Sequence, residues 1–175
     1  YNKVGTLFSR SDVADWSYSD GDITFVNDTG KMHFTTTNNS VAHRITLDAY
    51  GQSFLSAIDI TYDIDVISFN SIFRVTMGLN GVRPLNAVVS SSNSVNGNAG
   101  TTVGSVGRTA GTYNITLRRL DNVVQIILVK GASTETTSYT FPMTTTEFQI
   151  GKFYMEFLAV DVKIYNFKVN CICYK

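Results

Sequence analysis

The sequence predicts an all-β fold, organised as a two-sheet antiparallel β-sandwich. Residues that favour strands and turns dominate its 175 positions, with 21 Thr, 16 Ser, 14 Asn and 13 Gly. Apolar and polar residues alternate with a period of two along the whole chain, and no segment of ordinary helical length is visible. About a dozen short strands with two sets of inward faces indicate two packed sheets.

The segment 57–67 gives the strongest strand signal. Its alternate residues fall into an apolar row and a polar row: Ile58, Ile60, Tyr62, Ile64 and Val66 against Asp59, Thr61, Asp63 and Asp65. A helix would distribute these residues around its circumference, whereas a strand places each row on one face. We therefore expect the apolar row to meet a second sheet.

Three segments depart from simple alternation. Residues 123–129 are apolar on both faces, which predicts a central strand covered on both sides, joined to its neighbour by a hairpin at 120–123. Residues 160–169 change their apolar face, as a long strand with a bulge does. Residues 90–111 contain almost no large apolar side chain and predict a long loop of the functional or mobile kind.

The length fits one domain, residues 1–175, with enough chain to bury a core without cross-links. Because the chain shows no initiator Met or signal peptide, we expect a domain excised from a longer, multidomain protein. No run approaches the ~20 apolar residues of a membrane helix, so membrane insertion is not expected. Cys171 and Cys173 suit neither a structural disulfide nor a zinc site.

Charge narrows the classes of partner. The 14 basic and 14 acidic side chains cancel, and no basic stripe is present. A nucleic-acid partner is therefore not expected, since such proteins carry a basic excess. Neutral ligands and protein surfaces remain as the possible classes of binding partner.

Three stretches carry a family resemblance. The first runs from 7 through Trp16 to 34, the second covers 111–131, and the third covers 151–169. Together they resemble the jelly-roll sandwiches related to concanavalin A, the laminin-G-like lectin domains and carbohydrate-binding modules. The chain is also similar to carbohydrate-binding domains of bacteriophage tail proteins.

The resemblance implies a function. It implies a non-catalytic, lectin-like module that binds an oligosaccharide or polysaccharide and mediates adhesion to a cell-surface or cell-wall glycan, as in host recognition by a phage tail. An extracellular or virion-surface location follows. The alternative is a structural or assembly domain of a viral fibre or adhesin that contacts protein partners.

A sugar site needs an aromatic surface and planar polar side chains. The candidates for these roles are Trp16, Arg44, Tyr50, Arg74, Arg83, Asn86, Arg118 and Gln125. Trp16 has an equally good alternative role in the core. The rows Arg44/Thr46/Asp48, Asp59/Thr61/Asp63 and Arg74/Thr76 would form one polar face if their strands were neighbours.

The acidic residues allow two further chemistries, catalysis and calcium binding. Related folds host glycoside hydrolases, but the alternating acids Asp63 and Asp65 end at Ile67, and the expected reading is a solvated strand face without catalysis. Turn residues Asp20, Asp22, Asn27 and Asp28 offer oxygen ligands suited to calcium, yet turns favour these residue types in any case. We expect no cofactor, with calcium as the alternative.

Overall fold

A computed structural model of the chain describes residues 2–18, 22–37, 40–48, 57–69, 75–80, 85–89, 93–95, 100–120, 122–140 and 152–174. These residues form fifteen strands and one 3-10 turn at Val13–Asp15, with no α-helix among them. The strands are β1 Asn2–Ser9, β2 Ser17–Tyr18, β3 Ile23–Asp28, β4 Lys31–Thr36, β5 His43–Asp48, β6 Ala57–Phe69, β7 Val75–Asn80, β8 Leu85–Val89, β9 Asn93–Val95, β10 Thr101–Gly104, β11 Gly111–Leu120, β12 Val123–Lys130, β13 Ser133–Thr140, β14 Lys152–Phe157 and β15 Val160–Tyr174.

The strands pair into two sheets. Sheet A has nine strands in the order β10-β13-β12-β11-β6-β15-β4-β3, with β1 also paired to β15. Sheet B has six strands in the order β2-β5-β14-β7-β8-β9. All strand pairs in the described residues are antiparallel, which confirms the predicted all-β sandwich.

The core lies between the sheets and receives apolar side chains from both. Sheet B contributes Ile45, Met155 and Phe157, all with no exposed surface. Phe34 of sheet A packs against Phe157 with 4.7 Å between ring centroids. Burial of each such side chain contributes about 1.5–3 kcal/mol, so this two-sided core is the main source of stability.

The strand predicted at 57–67 is confirmed as β6, which extends to Phe69. Its inward side chains are buried: Ile60, Tyr62, Ile64 and Val66. The side chain of Ile58 lies outside the described part of the chain. The predicted hairpin is also confirmed, because Leu120 pairs with Val123 across the turn.

Two bulges interrupt the pairing of β6 with β15. Asp161 pairs with Ser68 and Val162 with Val66, so Ile67 is an extra residue in β6. The register shifts again between Tyr165 and Lys168, where Asn166 has a φ of 52°. The second shift confirms the predicted change of apolar face in β15, with the difference that Tyr165 stays on the outer face.

β12 lies inside sheet A, between β11 and β13, as expected for a central strand. Its core-facing side chains are buried, but Val123, Ile127 and Val129 on the other face are only half-buried. Cover on both sides was therefore a wrong prediction. The register places Ile127 between Thr116 and Thr136, so neighbouring strands shield it laterally.

The polar stretch 90–111 is not one long loop. It contains β9 and β10, and the residues after β10 are fastened to the core. Val106 is 4% exposed, and its N–H donates to Oε2 of Glu135 at 3.0 Å. Arg108 donates to Oε1 of the same carboxylate at 2.6 Å. The prediction of one long loop is therefore wrong, because the stretch contains two paired strands and the buried side chain of Val106.

Candidate functional site

The eight candidate residues do not form a single site. Arg44 lies on the outer face of sheet B, whereas Arg118 and Gln125 lie on the outer face of sheet A. Trp16 is buried beside β2. The backbone of Asn86 belongs to β8 in sheet B, while its side chain is outside the described residues. Three candidates lie wholly outside them: Tyr50, Arg74 and Arg83.

The condition for one joint polar face, that the strands of the three rows are neighbours, is not met. The Arg44 row is on β5 of sheet B, and the Asp59 row is on β6 of sheet A, so the core separates them. Alternation assigns each row to a face of its own strand. It does not assign the strand to a sheet, because backbone pairing is formed between segments distant in the chain.

The outer face of sheet B has two neighbouring polar rows. Backbone register aligns Ser17, Thr46 and Tyr154 across β2, β5 and β14. The same row continues through Gly78 of β7 to Asn86 of β8, so Asn86 shares a row with residues near Arg44. Arg44 and Glu156 are directly opposite each other in the adjacent row.

Arg44 is held from two directions. Its Nε and Nη2 donate to Oε1 of Glu156 at 3.0 and 2.5 Å, and its guanidinium carbon lies 3.8 Å from the centroid of the Tyr154 ring. The side chain of Arg44 is nevertheless 46% exposed. Burial raises the pKa of Tyr154 although the Arg44 charge opposes this, so the phenol stays neutral. A fixed, accessible guanidinium–carboxylate pair results.

A cavity of about 390 Å³ lies at the edge of sheet B, beside β2 and β5. Its size falls within the roughly 300–1,000 Å³ of small-ligand sites. The lining combines charged, hydroxyl and apolar groups: Arg10, Ala14, Asp15, Trp16, Ser17, Thr46 and Leu47. Thr46 lies two residues from Arg44 on the same face of β5, so one lining residue of the cavity is a near neighbour of Arg44 along that strand.

Trp16 is only 5% exposed and forms part of the cavity wall. Its ring meets Phe167 edge-on at 5.0 Å, and its indole N–H donates to the Arg10 carbonyl at 3.4 Å. Asp12 caps the preceding 3-10 turn by accepting from the Ala14 N–H at 2.9 Å. The tryptophan is therefore a buried wall residue more than an open platform.

The carboxylates of the outer acidic row of β6 accept hydrogen bonds from side chains on neighbouring strands. Arg118 donates to both Asp59 oxygens at 2.8 Å. Asn114 and Asn166 donate to the two oxygens of Asp63, each at 2.8 Å. These bonds tie β6 to β11 and β15, so the row stabilises sheet A.

Asp65 receives three donors, from Lys31 at 2.6 Å, Thr112 at 2.8 Å and Tyr165 at 3.1 Å. Burial raises the pKa of Asp65, but these hydrogen bonds outweigh burial and hold the pKa below its usual value. A retaining glycosidase instead needs one carboxyl whose pKa is raised, so that it can donate a proton. Asp65 therefore lacks the raised pKa of such an acid, and both oxygens of Asp63 accept from Asn114 and Asn166.

A second polar cluster surrounds His33 on the same outer face. Nε2 of His33 contacts Asp161 Oδ1 at 2.6 Å and Thr35 Oγ1 at 3.4 Å. In a hydroxyl–histidine–carboxylate relay the hydroxyl and the carboxylate contact different ring nitrogens. Here both contact Nε2, and the carboxylate nearest Nδ1, that of Asp28, lies at 3.9 Å, beyond hydrogen-bond distance, which argues against a relay.

The turn residues considered for calcium are engaged elsewhere. The amide of Asn27 donates to Asp12 at 3.0 Å and its oxygen accepts from the Val13 N–H at 3.0 Å. Asp28 pairs with Lys163 at 2.7 Å, and this contact holds the pKa of Asp28 below its usual value. Among the residues with described positions, no group of three His, Cys, Asp or Glu could hold a metal ion. Asp20 lies outside that set.

Sequence reasoning missed Glu156, Arg10 and Asp15. The sequence carries no local signal that Glu156 is the partner of Arg44, since 112 positions separate the two. Arg10 and Asp15 both precede Trp16 closely in the sequence. Their proximity to Trp16 was the available signal.

Comparison with known proteins shows the fold. No family model matches the chain, and no curated protein matches it in sequence. A Bacillus subtilis protein of galectin-like fold aligns at 13% identity and TM-score 0.65 over 100% of both chains. The CBM2 module of the evolved Dit of Lactobacillus casei BL23 phage J-1 aligns at 8% identity and TM-score 0.66, over 99% of this chain and 98% of that one.

The exoplasmic/lumenal domain of VIP36, bound to Ca²⁺ and Man3GlcNAc, aligns at 10% identity and TM-score 0.61, over 93% of this chain and 85% of that one. A carbohydrate esterase of Shiga toxin-encoding bacteriophage phi24B also aligns, at 15% identity and TM-score 0.58, over 97% and 99% of the two chains. The chain therefore has the β-sandwich fold of lectins and carbohydrate-binding modules, and the resemblance seen in the sequence is confirmed at the level of fold.

No helix within the described ranges has the length and hydropathy needed to cross a membrane.

Proposed function

We propose that the chain is a non-catalytic carbohydrate-binding module whose site comprises the Arg44–Glu156 pair on the outer face of sheet B and the cavity at the β2–β5 edge of that sheet. The name β5 site is used for Arg10, Asp15, Trp16, Ser17, Arg44, Thr46 and Glu156. The observation that carries the proposal is the Arg44–Glu156 pair, held in one geometry, with Arg44 on the same strand as Thr46, which lines a cavity of ligand size.

The chemistry of this pair suits a sugar. Each sugar hydroxyl can donate and accept, and a guanidinium beside a carboxylate offers donors and an acceptor to adjacent hydroxyls. Stacking on Tyr154 and bonding to Glu156 restrict Arg44 before the ligand arrives, which reduces the ordering cost of binding. The zero net charge of the chain also suits a neutral partner.

The biological setting proposed is adhesion to a cell-surface or cell-wall glycan by a larger parent protein, at an extracellular or virion surface. The likeness in fold to a phage Dit module and to a glycan-bound VIP36 domain supports it. The VIP36 domain binds calcium, so glycan binding by this chain is to be assayed with and without Ca²⁺.

The test is a glycan array followed by calorimetry on two arginine variants. Arg44→Ala removes the exposed donor of the β5 site, and Arg118→Ala removes an arginine that is bonded to Asp59 on the opposite face. We expect array hits of micromolar to millimolar affinity, lost in Arg44→Ala and kept in Arg118→Ala. An array without hits, with and without calcium, would refute the proposal, and so would loss of binding in Arg118→Ala alone.

A second candidate function is assembly through the outer face of sheet A. Val103 is 71% exposed there, in register with Thr136 and Ile127. A row that alternates apolar and threonine side chains and ends in an exposed valine suits contact with another copy of the chain, as in a fibre. An obligate trimer in size-exclusion chromatography that dissociates in Val103→Lys, together with no sugar affinity, would favour this candidate.

A further inference from the structure

A second cavity, of about 400 Å³, opens at the end of sheet A where β4, β6 and β15 meet. We call it the threonine cavity, after its lining of Thr35, Thr36, Thr37, Ser68, Ala159, Val160 and Asp161. It shares no residue with the β5 site. Its elements belong to sheet A, whereas the Arg44–Glu156 pair belongs to sheet B.

Two backbone irregularities shape this cavity. Ile67, the extra residue of the β6 bulge, immediately precedes Ser68 in the lining. On the other side Ala159 has a φ of 45°, in the left-handed region that favours glycine. Bulges and strained non-glycine residues cluster at functional sites, and here both bound the same cavity.

The lining has the chemistry of a receptor for a hydroxylated, uncharged molecule. Thr37 and Ser68 present exposed hydroxyls that can donate and accept, Thr35 contacts His33 at 3.4 Å, Thr36 is buried, and Ala159 and Val160 supply apolar groups. His33 fixes the Asp161 carboxylate through a 2.6 Å contact with Oδ1. No lysine or arginine is among the described lining residues, so phosphate, sulfate and carboxylate ligands are disfavoured.

We propose that the threonine cavity is a second binding site for a single neutral sugar residue, separate from the β5 site. The inference rests on the proposed function for its class of ligand, but not on the position of the first site. A module with a site on each sheet can engage two glycan chains, and the gain in avidity requires no further contact.

The test is an amide chemical-shift titration with glucose, galactose, mannose and N-acetylglucosamine in turn. At least one sugar is expected to shift the amides of Thr35–Thr37, Ser68 and Ala159–Asp161 in a saturable manner. The same shifts should persist in Arg44→Ala, whose β5 site is disabled. Calcium chloride alone and inorganic phosphate alone are expected to leave these amides unmoved.

Two serine variants provide the matched control. Ser68→Tyr fills the cavity from its exposed rim and should abolish the shifts, whereas Ser133→Tyr introduces the same ring at an exposed position of β13 and should keep them. Thr37→Val removes one lining hydroxyl at an exposed position outside the strands, with little risk to the fold, and should weaken the titration at least threefold.

The outcomes separate the two proposals. Shifts at Arg44 and Thr46 with none at the threonine cavity would overturn this inference and leave the β5 site standing. Shifts at the cavity without any at the β5 site would support the inference and refute the first site. A response to calcium alone, shifts that survive Ser68→Tyr, or silence at the threonine cavity with all four sugars would also overturn the inference, whereas the β5 site is refuted by the glycan array and the Arg44→Ala variant.

Discussion

Two buried tyrosines lie on adjacent strands of sheet A. Replacing each by phenylalanine removes only its hydroxyl, and so tests how much a hydrogen-bonded and an unpaired hydroxyl each contribute to stability. Tyr62 of β6 and Tyr113 of β11 both have no exposed surface. The hydroxyl of Tyr62 has no hydrogen-bond partner within the described structure, and burial raises the pKa of this phenol well above its usual value. The two tyrosines therefore differ in how their hydroxyls are satisfied.

Tyr113 stands in a dense network at the turn before β11. Its hydroxyl contacts the carbonyl oxygens of Gly107 at 2.8 Å and Thr109 at 2.5 Å, and it accepts from the Thr109 N–H at 3.0 Å. Lys130 Nζ lies 3.3 Å from the same oxygen. Removal of this oxygen leaves several polar groups without their partner.

We predict that Tyr62→Phe stabilises the protein and Tyr113→Phe destabilises it. A buried unsatisfied hydroxyl costs about 1–3 kcal/mol, so Tyr62→Phe should raise the free energy of unfolding by about 1 kcal/mol after a small loss of packing. Tyr113→Phe should lower it by about 2 kcal/mol, since each intramolecular hydrogen bond contributes about 0.5–1.5 kcal/mol. The midpoint temperatures should shift in opposite directions, by about 2–4 °C per kcal/mol.

Urea unfolding followed by tryptophan fluorescence measures this difference directly. Trp16 is the only tryptophan of the chain and is buried, so its emission reports loss of the core. If Tyr62→Phe were destabilised by as much as Tyr113→Phe, the reasoning would be refuted, because the Tyr62 hydroxyl would then have a partner.

Three further predictions concern stability. Glu135→Ala should lower the free energy of unfolding by about 3 kcal/mol in urea, because Arg108 and the Val106 N–H lose a nearly buried carboxylate; an effect below about 1 kcal/mol would contradict this. Thr29→Asn should raise the midpoint temperature, since Thr29 has a φ of 52° in a β3–β4 turn that suits Asn-Gly, and no rise in calorimetry would count against it. Below about pH 4, the free energy of unfolding of the wild type should fall more steeply than that of Asp65→Asn. The pKa of Asp65 is lower in the folded state, so the carboxylate stabilises the fold until it is protonated as the pH falls. Parallel pH profiles of the two proteins would contradict the lowered pKa.

The alternation in the sequence was sufficient to predict the sandwich because each strand face is a local property. Ile60, Ile64 and Val66 are buried as the β6 pattern requires. The bulge in β15 was also visible, since its apolar face changes between Ile164 and Phe167. The buried face of β6 and the change of face in β15 are both determined by residues close together in the sequence, so the sequence alone can predict them.

The candidate site depended on pairing between distant segments, which alternation does not encode. Arg44 meets Glu156 only because β14 lies beside β5. Arg118, chosen for the same chemistry, is bonded to Asp59 on the other sheet. Both arginines were candidates because of their side-chain chemistry. Only the strand order shows that Arg44 belongs to the proposed site and that Arg118 stabilises sheet A.

The measurement that tests the central claim most directly is an amide chemical-shift map of the full chain with the strongest glycan-array hit. Binding at the β5 site predicts the largest shifts at Ser17, Arg44, Thr46 and Glu156, with sheet A near Arg118 and Gln125 unchanged. Shifts concentrated around Arg118 and Gln125, with the outer face of sheet B unmoved, would contradict the account.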